Sequence, residues 1–292
     1  MQGTIVKGIA GFYYVYIAGS GTYECKAKGI LRHDGTKPLV GDRVDMSIVD
    51  DAKMIGNVDA VLERDNALIR PAVANIDQAL VIFAAKDPNP QLGLLDRFLI
   101  NMEYNEIPVI ICFNKSDLVT EDQLKEYANI YESAGYEVIF TSTKTGRGIE
   151  NLKGMLKGKT TTVAGPSGAG KSSLVNCMEP LHEMETGEIS QKIGRGKNTT
   201  RHTELLPLAY GGLILDTPGF SSLDLPDVEK ESLRDFYPEF VPHEPGCRFT
   251  MCMHYKEPDC AVRQALEDGI ISRDRYDSYI YFFELLKRKE YK

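Results

Sequence analysis

The chain has 292 residues, of which 42% are hydrophobic and 26% charged, with 34 Lys+Arg against 42 Asp+Glu for a net charge of −8. That length fits two or three domains, and the apolar content excludes wholesale disorder. No apolar run nears the roughly 20 residues that cross a bilayer, and Met1-Gln2-Gly3-Thr4-Ile5-Val6-Lys7 lacks the pattern of a secretory signal, so a cytoplasmic, membrane-free protein is expected. The acidity is uneven. Residues 1–70 hold 9 basic and 9 acidic side chains, residues 71–237 hold 16 and 23, and residues 238–292 hold 9 and 10. Bulk charge argues against a simple polyanion binder but leaves room for local patches at both ends. Six Cys in a chain this long do not make a disulfide scaffold; in a reducing compartment they are thiols or metal ligands.

Residues 4–9, 12–17, 22–27, 42–49 and 56–63 are strand-prone, separated by Ala10-Gly11, Gly19-Ser20-Gly21, Asp34-Gly35 and Asp50-Asp51. Five short strands at this spacing predict a small barrel, and an OB-type barrel is the sharper form of that reading. The texture changes near Arg70-Pro71. Ala79-Leu80-Val81-Ile82-Phe83-Ala84 is a continuous apolar run, as a strand buried on both faces requires. Helices over 92–104, 121–134, 149–156 and 171–178 then alternate with strands over 109–113, 137–140 and 160–164. Two more strands are expected at 203–208 and 212–215. This alternation predicts an α/β domain with a mostly parallel sheet. After Pro226 the pattern turns helical. The expected domains are therefore 1–70, a barrel; 71–226, an α/β nucleotide-binding domain; and 227–292, a mostly helical metal-binding domain.

Gly165-Pro166-Ser167-Gly168-Ala169-Gly170-Lys171-Ser172 fits G-x-x-x-x-G-K-[ST] between a predicted strand and a predicted helix, the setting that a phosphate-binding loop requires. Its glycines let backbone N–H groups turn inward on phosphate, and the helix N-terminus adds a favourable dipole. Lys171 is expected to reach the β- and γ-phosphates, the Ser172 hydroxyl to ligate Mg²⁺, and the site to run on to Ser173. Leu215-Asp216-Thr217-Pro218-Gly219 ends a buried strand, where Asp216 can hold the Mg²⁺ shell and the Gly219 N–H can meet the γ-phosphate.

Asn114-Lys115-Ser116-Asp117 gives N-K-x-D at the end of another buried strand. Asp117 can accept from the guanine N1–H and exocyclic amine, Asn114 can bond near O6 and brace neighbouring loops, and the Lys115 stem can cover the ring. Adenine presents the wrong pattern and leaves the carboxylate unpaired, so guanine is selected. Thr141-Ser142-Thr143-Lys144 follows the next strand and is expected, around Ser142, to offer a backbone N–H to the base.

Cys247, Cys252, His254 and Cys260 read C-x4-C-x-H-x5-C. Three thiolates and an imidazole suit tetrahedral Zn²⁺, and four protein ligands close the shell, so one structural zinc is expected. His243 lies nearby and reads as solvated; Cys25, Cys112 and Cys177 read as isolated thiols.

The motifs stand in an unusual order. N-K-x-D precedes the phosphate loop, whereas in small GTPases the phosphate loop comes first. Joining the ancestral ends through Lys157-Gly158-Lys159 and reopening the chain elsewhere builds the same sheet. A β-barrel, then N-K-S-D, then G-P-S-G-A-G-K-S, then Gly196-Lys197-Asn198-Thr199-Thr200-Arg201-His202, then D-T-P-G, then a Cys/His cluster: this order resembles the YjeQ/YloQ family of circularly permuted GTPases, also called ribosome small-subunit-dependent GTPase A (RsgA). The resemblance spans nearly the whole chain. It implies a maturation factor for the small (30S) ribosomal subunit that binds in the GTP form and leaves after hydrolysis, with barrel and zinc domain on ribosomal RNA.

The position after D-x-x-G, where many GTPases place a water-orienting Gln, is Phe220, so slow intrinsic hydrolysis completed by a partner is expected. Residues 194–202 have the composition of a first switch, with Thr200, or alternatively Thr199, as Mg²⁺ and γ-phosphate ligand. The family often carries a water-positioning His directly before the Thr pair. This sequence has Asn198, which can orient water but cannot act as a base at neutral pH; His202 is the alternative. Asn198, Thr200 and Lys171 are the residues expected to carry catalysis. Lys26, Lys28, Arg32, Lys37 and Arg43 in the barrel, Tyr13, Tyr14 and Tyr16, and Arg273, Arg275 and Lys287-Arg288-Lys289 are candidates for RNA contact, with barrel packing or solvation as the competing reading. A monomer is expected. The other class of function is a nucleotide-gated scaffold for a protein partner; a P-loop kinase or transferase is disfavoured by N-K-S-D.

Overall fold

Alternating apolar residues in the first sixty positions form a closed barrel in the computed structural model, which describes residues 1–28, 37–69, 72–178, 203–216 and 224–289. Strands β1 (Gln2–Ile9), β2 (Phe12–Ile17), β3 (Gly21–Ala27), β4 (Arg43–Asp50) and β5 (Ile55–Val61) follow the predicted spacing. β1 pairs antiparallel with β2, and β2 with β3; β3 runs parallel to β5, β5 antiparallel to β4, and β4 returns to β1 through Gly3↔Val44. Closure removes the free edges, and a five-stranded barrel of this crossed order has the OB form. The period-2 alternation puts Val15 and Ile17 of β2 inside with Ile5, Tyr23, Cys25, Val44, Met46 and Val58. A short hairpin, β6 (Ala67–Ile69) against β7 (Ala72–Ala74), follows the barrel and was not foreseen; three-residue strands are too short to show a period.

The described residues fall into two compact units, one drawn from 1–79, 150–163 and 172–220, the other from 80–149, 164–171 and 221–292. Strand β8 (Gln78–Ala84) is the continuous apolar run, buried at every position.

In the first unit the barrel continues into further sheet. β1 pairs antiparallel with β12 (Glu204–Pro207), where Lys7 and Glu204 are both backbone partners and an ion pair at 2.6 Å. β12 pairs antiparallel with β13 (Leu213–Asp216), and β13 runs parallel to β11 (Thr160–Ala164). Helix α3 (Ile149–Leu156) precedes β11, and α4 (Lys171–Met178) follows the phosphate loop.

In the second unit, β9 (Val109–Asn114) and β10 (Glu137–Phe140) run parallel, joined through α2 (Glu121–Glu132). Thr120 and Gln123 form a reciprocal capping box at the start of α2, as T-x-x-Q allows. Helix α1 (Leu92–Tyr104) buries Leu95, Phe98, Leu99 and Ile100. The C-terminal part is helical as expected, with 3-10 segments Lys230–Phe236, Pro238–Phe240 and Glu244–Gly246, then α5 (Ala261–Glu267) and α6 (Arg273–Lys289). Leu233, Tyr237, Phe240, Val262, Tyr279 and Phe282 form its core, and Ile100 of α1 packs into it.

Candidate nucleotide and metal sites

The phosphate loop hugs its surroundings because its glycines carry no side chain. Gly165 has φ +134° and Gly170 φ +86°; a Cβ would lie 2.0 Å from the Ile82 carbonyl oxygen at the first and 2.4 Å from Asn114 Nδ2 at the second. Lys171 folds back over the loop, its Nζ donating to the Gly165 carbonyl at 2.8 Å and the Pro166 carbonyl at 2.7 Å. Partial burial lowers the ammonium pKa, so this charge gains from an anion at the loop. Ser167 and Gly168 are exposed, Ala169 is buried, and Ser172 and Ser173 lie in the first turn of α4.

Asn114 closes β9, 1% exposed. Its Nδ2 donates to the Ala169 carbonyl at 3.1 Å, and its Oδ1 accepts from Thr141 Oγ1 at 3.2 Å. The base motif and the phosphate loop are thereby joined by one side chain. Lys115 adopts φ +59°, and its Nζ donates to the Asp87 carbonyl. Asp117 Oδ1 accepts from Ser142 Oγ at 2.6 Å, and Lys144 Nζ lies 4.0 Å from Oδ2. The Ser142 hydroxyl is the first reason the Asp117 carboxyl is held below its ordinary value, which keeps it an ionised acceptor. The Ser142 N–H already donates to the Arg147 carbonyl, so Ser142 faces the base motif through its hydroxyl. Thr141 was not singled out by sequence; its place one residue before Ser142, beyond a strand parallel to β9, was the available signal.

Asp216 ends β13, its backbone paired with Glu204. Asn198, Thr199, Thr200, His202, Gly219, Phe220 and Arg32 lie outside the described residues.

Cys247, Cys252, His254 and Cys260 come together, their ligand atoms all within 4.8 Å of one another. Cys247 Sγ lies 3.9 Å from Cys260 Sγ and 3.7 Å from His254 Nδ1, and His254 Nδ1 lies 3.4 Å from Cys260 Sγ. Zn–S bonds of about 2.3 Å at tetrahedral angles give edges of about 3.8 Å, so the spacing fits zinc. Burial pushes the Cys252 thiol up to about 12 and raises Cys260. A divalent cation held by the cluster would offset that cost and let the Cys252 and Cys260 thiols ionise. His243 lies outside this cluster.

One of the RNA-contact candidates is corrected. Arg275 is 1% exposed, its guanidinium donating to Glu239 at 2.7 and 3.1 Å and to Asp96 at 2.7 Å, with Tyr237 beneath it. Sequence could not show this, because Arg275 sits among charged neighbours and its acids lie far off in the chain. Tyr13 packs against the barrel core, whereas Tyr14 and Tyr16 take the other face, Tyr14 donating to Glu24 at 3.1 Å. Arg43 pairs with Asp65 and Lys28 with Asp59. Cys25 and Cys112 are buried, with thiols pushed up to about 11 and about 12 by desolvation.

A strand-fed phosphate loop joined to an N-K-x-D motif that precedes it in the chain, behind an OB-type barrel, defines a circularly permuted GTPase. The RsgA GTPase family model matches residues 61–226 and the RsgA N-terminal domain model matches residues 2–55. The chain belongs to the RsgA family. It is 57% identical over 300 residues to a small ribosomal subunit biogenesis GTPase RsgA of Agathobacter rectalis, covering 99% of both chains, and 45% identical to one of Caldanaerobacter subterraneus, covering 99% and 97%. Among solved structures it is similar to YjeQ from Thermotoga maritima (TM-score 0.84, 37% identity, 98% of each chain) and to YloQ, described as a circularly permuted GTPase (TM-score 0.83, 39% identity, 99% and 95%). No helix among the described residues is long and apolar enough to cross a membrane.

Proposed function

We propose that the chain hydrolyses GTP to GDP and phosphate as a late maturation factor of the small ribosomal subunit, binding it in the GTP form and leaving after subunit-stimulated hydrolysis. The observation that supports the nucleotide part is the Asn114–Ala169 bond, which joins the N-K-x-D loop to the glycine-rich loop. The partner rests on the names of relatives alike over almost the full chain. In this reading 1–70 is the barrel, 71–226 the GTPase domain and 227–292 the zinc domain, and the protein works as a cytoplasmic monomer on ribosomal RNA.

Asp117, kept ionised by Ser142, accepts from guanine, with Asn114 and Lys115 framing the base. Residues Gly165 to Ser173 wrap the phosphates, and Lys171 exchanges its two carbonyl partners for β- and γ-phosphate oxygens. Ser172, Thr200 and Asp216 would hold magnesium, with Gly219 at the γ-phosphate. Magnesium, when bound there, would neutralise the charge that develops on the phosphates. Asn198 orients the attacking water. With Phe220 after D-x-x-G, intrinsic hydrolysis is slow, and the subunit completes the arrangement.

The test is GTP hydrolysis at fixed Mg²⁺ with and without purified small subunits across salt concentrations. Strong, salt-sensitive stimulation is expected. GTP binding without stimulation would instead favour the nucleotide-gated scaffold.

A further inference from the structure

The Cys3His cluster has polar neighbours outside its own spacing motif. The His254 ring is fully buried, with Nδ1 turned to the thiols of Cys247 and Cys260 and Nε2 turned away, 3.1 Å from Glu244 Oε1. A neutral imidazole has one N–H and one lone pair, and an ionised carboxylate only accepts. Glu244 therefore places the proton on Nε2 and leaves the lone pair on Nδ1, the side where the thiols converge.

Glu244 is itself held. It opens the short 3-10 turn Glu244–Gly246, directly ahead of Cys247, and Arg234 Nε lies 4.0 Å from the same Oε1. Arg234 Nη1 also donates to the Cys252 carbonyl at 2.8 Å. One Arg–Glu pair thus touches two of the four ligand residues, His254 by its ring and Cys252 by its backbone.

We propose that Glu244, backed by Arg234, is a positioning residue for the metal: it selects Nδ1 of His254 as the ligating nitrogen and slows loss of the ion. This rests on the reading of the cluster as a zinc site. A carboxylate behind a ligating imidazole fixes its tautomer and orientation and raises its basicity, and losing such a partner costs about 10- to 100-fold in metal affinity. Glu244→Gln keeps an oxygen but not the charge, and its amide can turn an N–H toward the ring, so an intermediate loss follows.

The test has two arms on the full-length chain. In the first, zinc transfer to a chromophoric chelator is timed for the parent, Glu244→Ala, Glu244→Gln and the exposed control Glu267→Ala. About 10- to 100-fold faster release is expected for Glu244→Ala, less for Glu244→Gln and none for the control, with GDP affinity unchanged in all. In the second, ¹⁵N spectra of the zinc-loaded parent report the metal-bound imidazole nitrogen, expected to be Nδ1 with Nε2 protonated. Release from Glu244→Ala within twofold of the parent, or ligation through Nε2, overturns the proposal. If Glu244→Ala does not fold, Glu244→Gln and the parent spectrum decide. A purified chain that takes up no zinc fails the underlying reading instead, and is recognised by its metal content alone.

Discussion

Asn114 Nδ2 donates to the Ala169 carbonyl at 3.1 Å, and the same side chain accepts from Thr141 at 3.2 Å. The amide is buried and has both its oxygen and its nitrogen committed, so it acts as a fixed strut between the N-K-x-D loop and the glycine-rich loop. Thr141→Val keeps shape but leaves Asn114 Oδ1 without its donor. An unsatisfied buried group costs about 1–3 kcal/mol, so GDP affinity should fall about 5- to 150-fold by calorimetry, with the fold intact by circular dichroism.

Gly170 meets the same strut from the other side. Its φ of +86° and the 2.4 Å approach of a Cβ to Asn114 Nδ2 leave no room for alanine. Gly170→Ala should lose most nucleotide binding, while Gly154→Ala, where nothing lies within 4 Å of a Cβ, should leave it unchanged. Equal binding by the two variants would contradict the packing described.

The acid limit of nucleotide binding should belong to Asp117. Its carboxyl is held low chiefly by Ser142, so it stays ionised, and able to accept from guanine, until the pH falls through that lowered value. Ser142→Ala raises it, and affinity should then begin to fall at higher pH than in the parent, as read by titration of a fluorescent GDP analogue. Asp117→Asn should bind xanthosine diphosphate in preference to GDP, because a carboxamide can donate to the 2-oxo group that replaces the guanine amine.

Much of this site is legible in sequence because its parts are local. The phosphate loop, N-K-S-D and C-x4-C-x-H-x5-C are each contiguous, and strand periodicity frames them. What joins them is not local. Asn114 meets Ala169 and Arg275 meets Asp96 through contacts far apart in the chain, and no periodicity encodes them. Arg275 also shows how composition misleads: a basic residue in a charged C-terminal helix reads as solvated, yet it is the largest fully buried side chain among the described residues. The β6–β7 hairpin escaped for a different reason, since three residues per strand carry no usable alternation.

Arg275 bridges α6 to α1 through Asp96, and to the Pro238–Phe240 segment through Glu239, all three side chains being almost fully buried. Arg275→Met removes the cation and strands two carboxylates. Breaking such a buried pair costs about 3–5 kcal/mol, to be read as a lowered urea midpoint. Arg275→Met with Asp96→Asn should recover part of that loss, because one stranded charge is gone. A double variant no more stable than the single one would show that packing against Tyr237 outweighs the charge pairing.

In the proposed function, Asn198 is the residue that orients the attacking water. An amide can orient water by hydrogen bonds but cannot take its proton at neutral pH, whereas imidazole can do both. Asn198→His therefore offers a stronger acceptor while Asn114, Asp117 and the phosphate loop keep their native residues, so GDP and GTP affinities should stay within about twofold of the parent. General-base assistance contributes about 10²–10⁴-fold in rate, and a misaligned imidazole recovers only part of that. Single-turnover GTP hydrolysis with small subunits present should rise by at least about tenfold. A rise confined to the stimulated reaction would place the water-orienting role at position 198 and its completion in the partner. A rise of equal size without subunits would mean that the histidine is already aligned in the free protein. An unchanged rate in both would move the role to another residue, with His202 the next to replace.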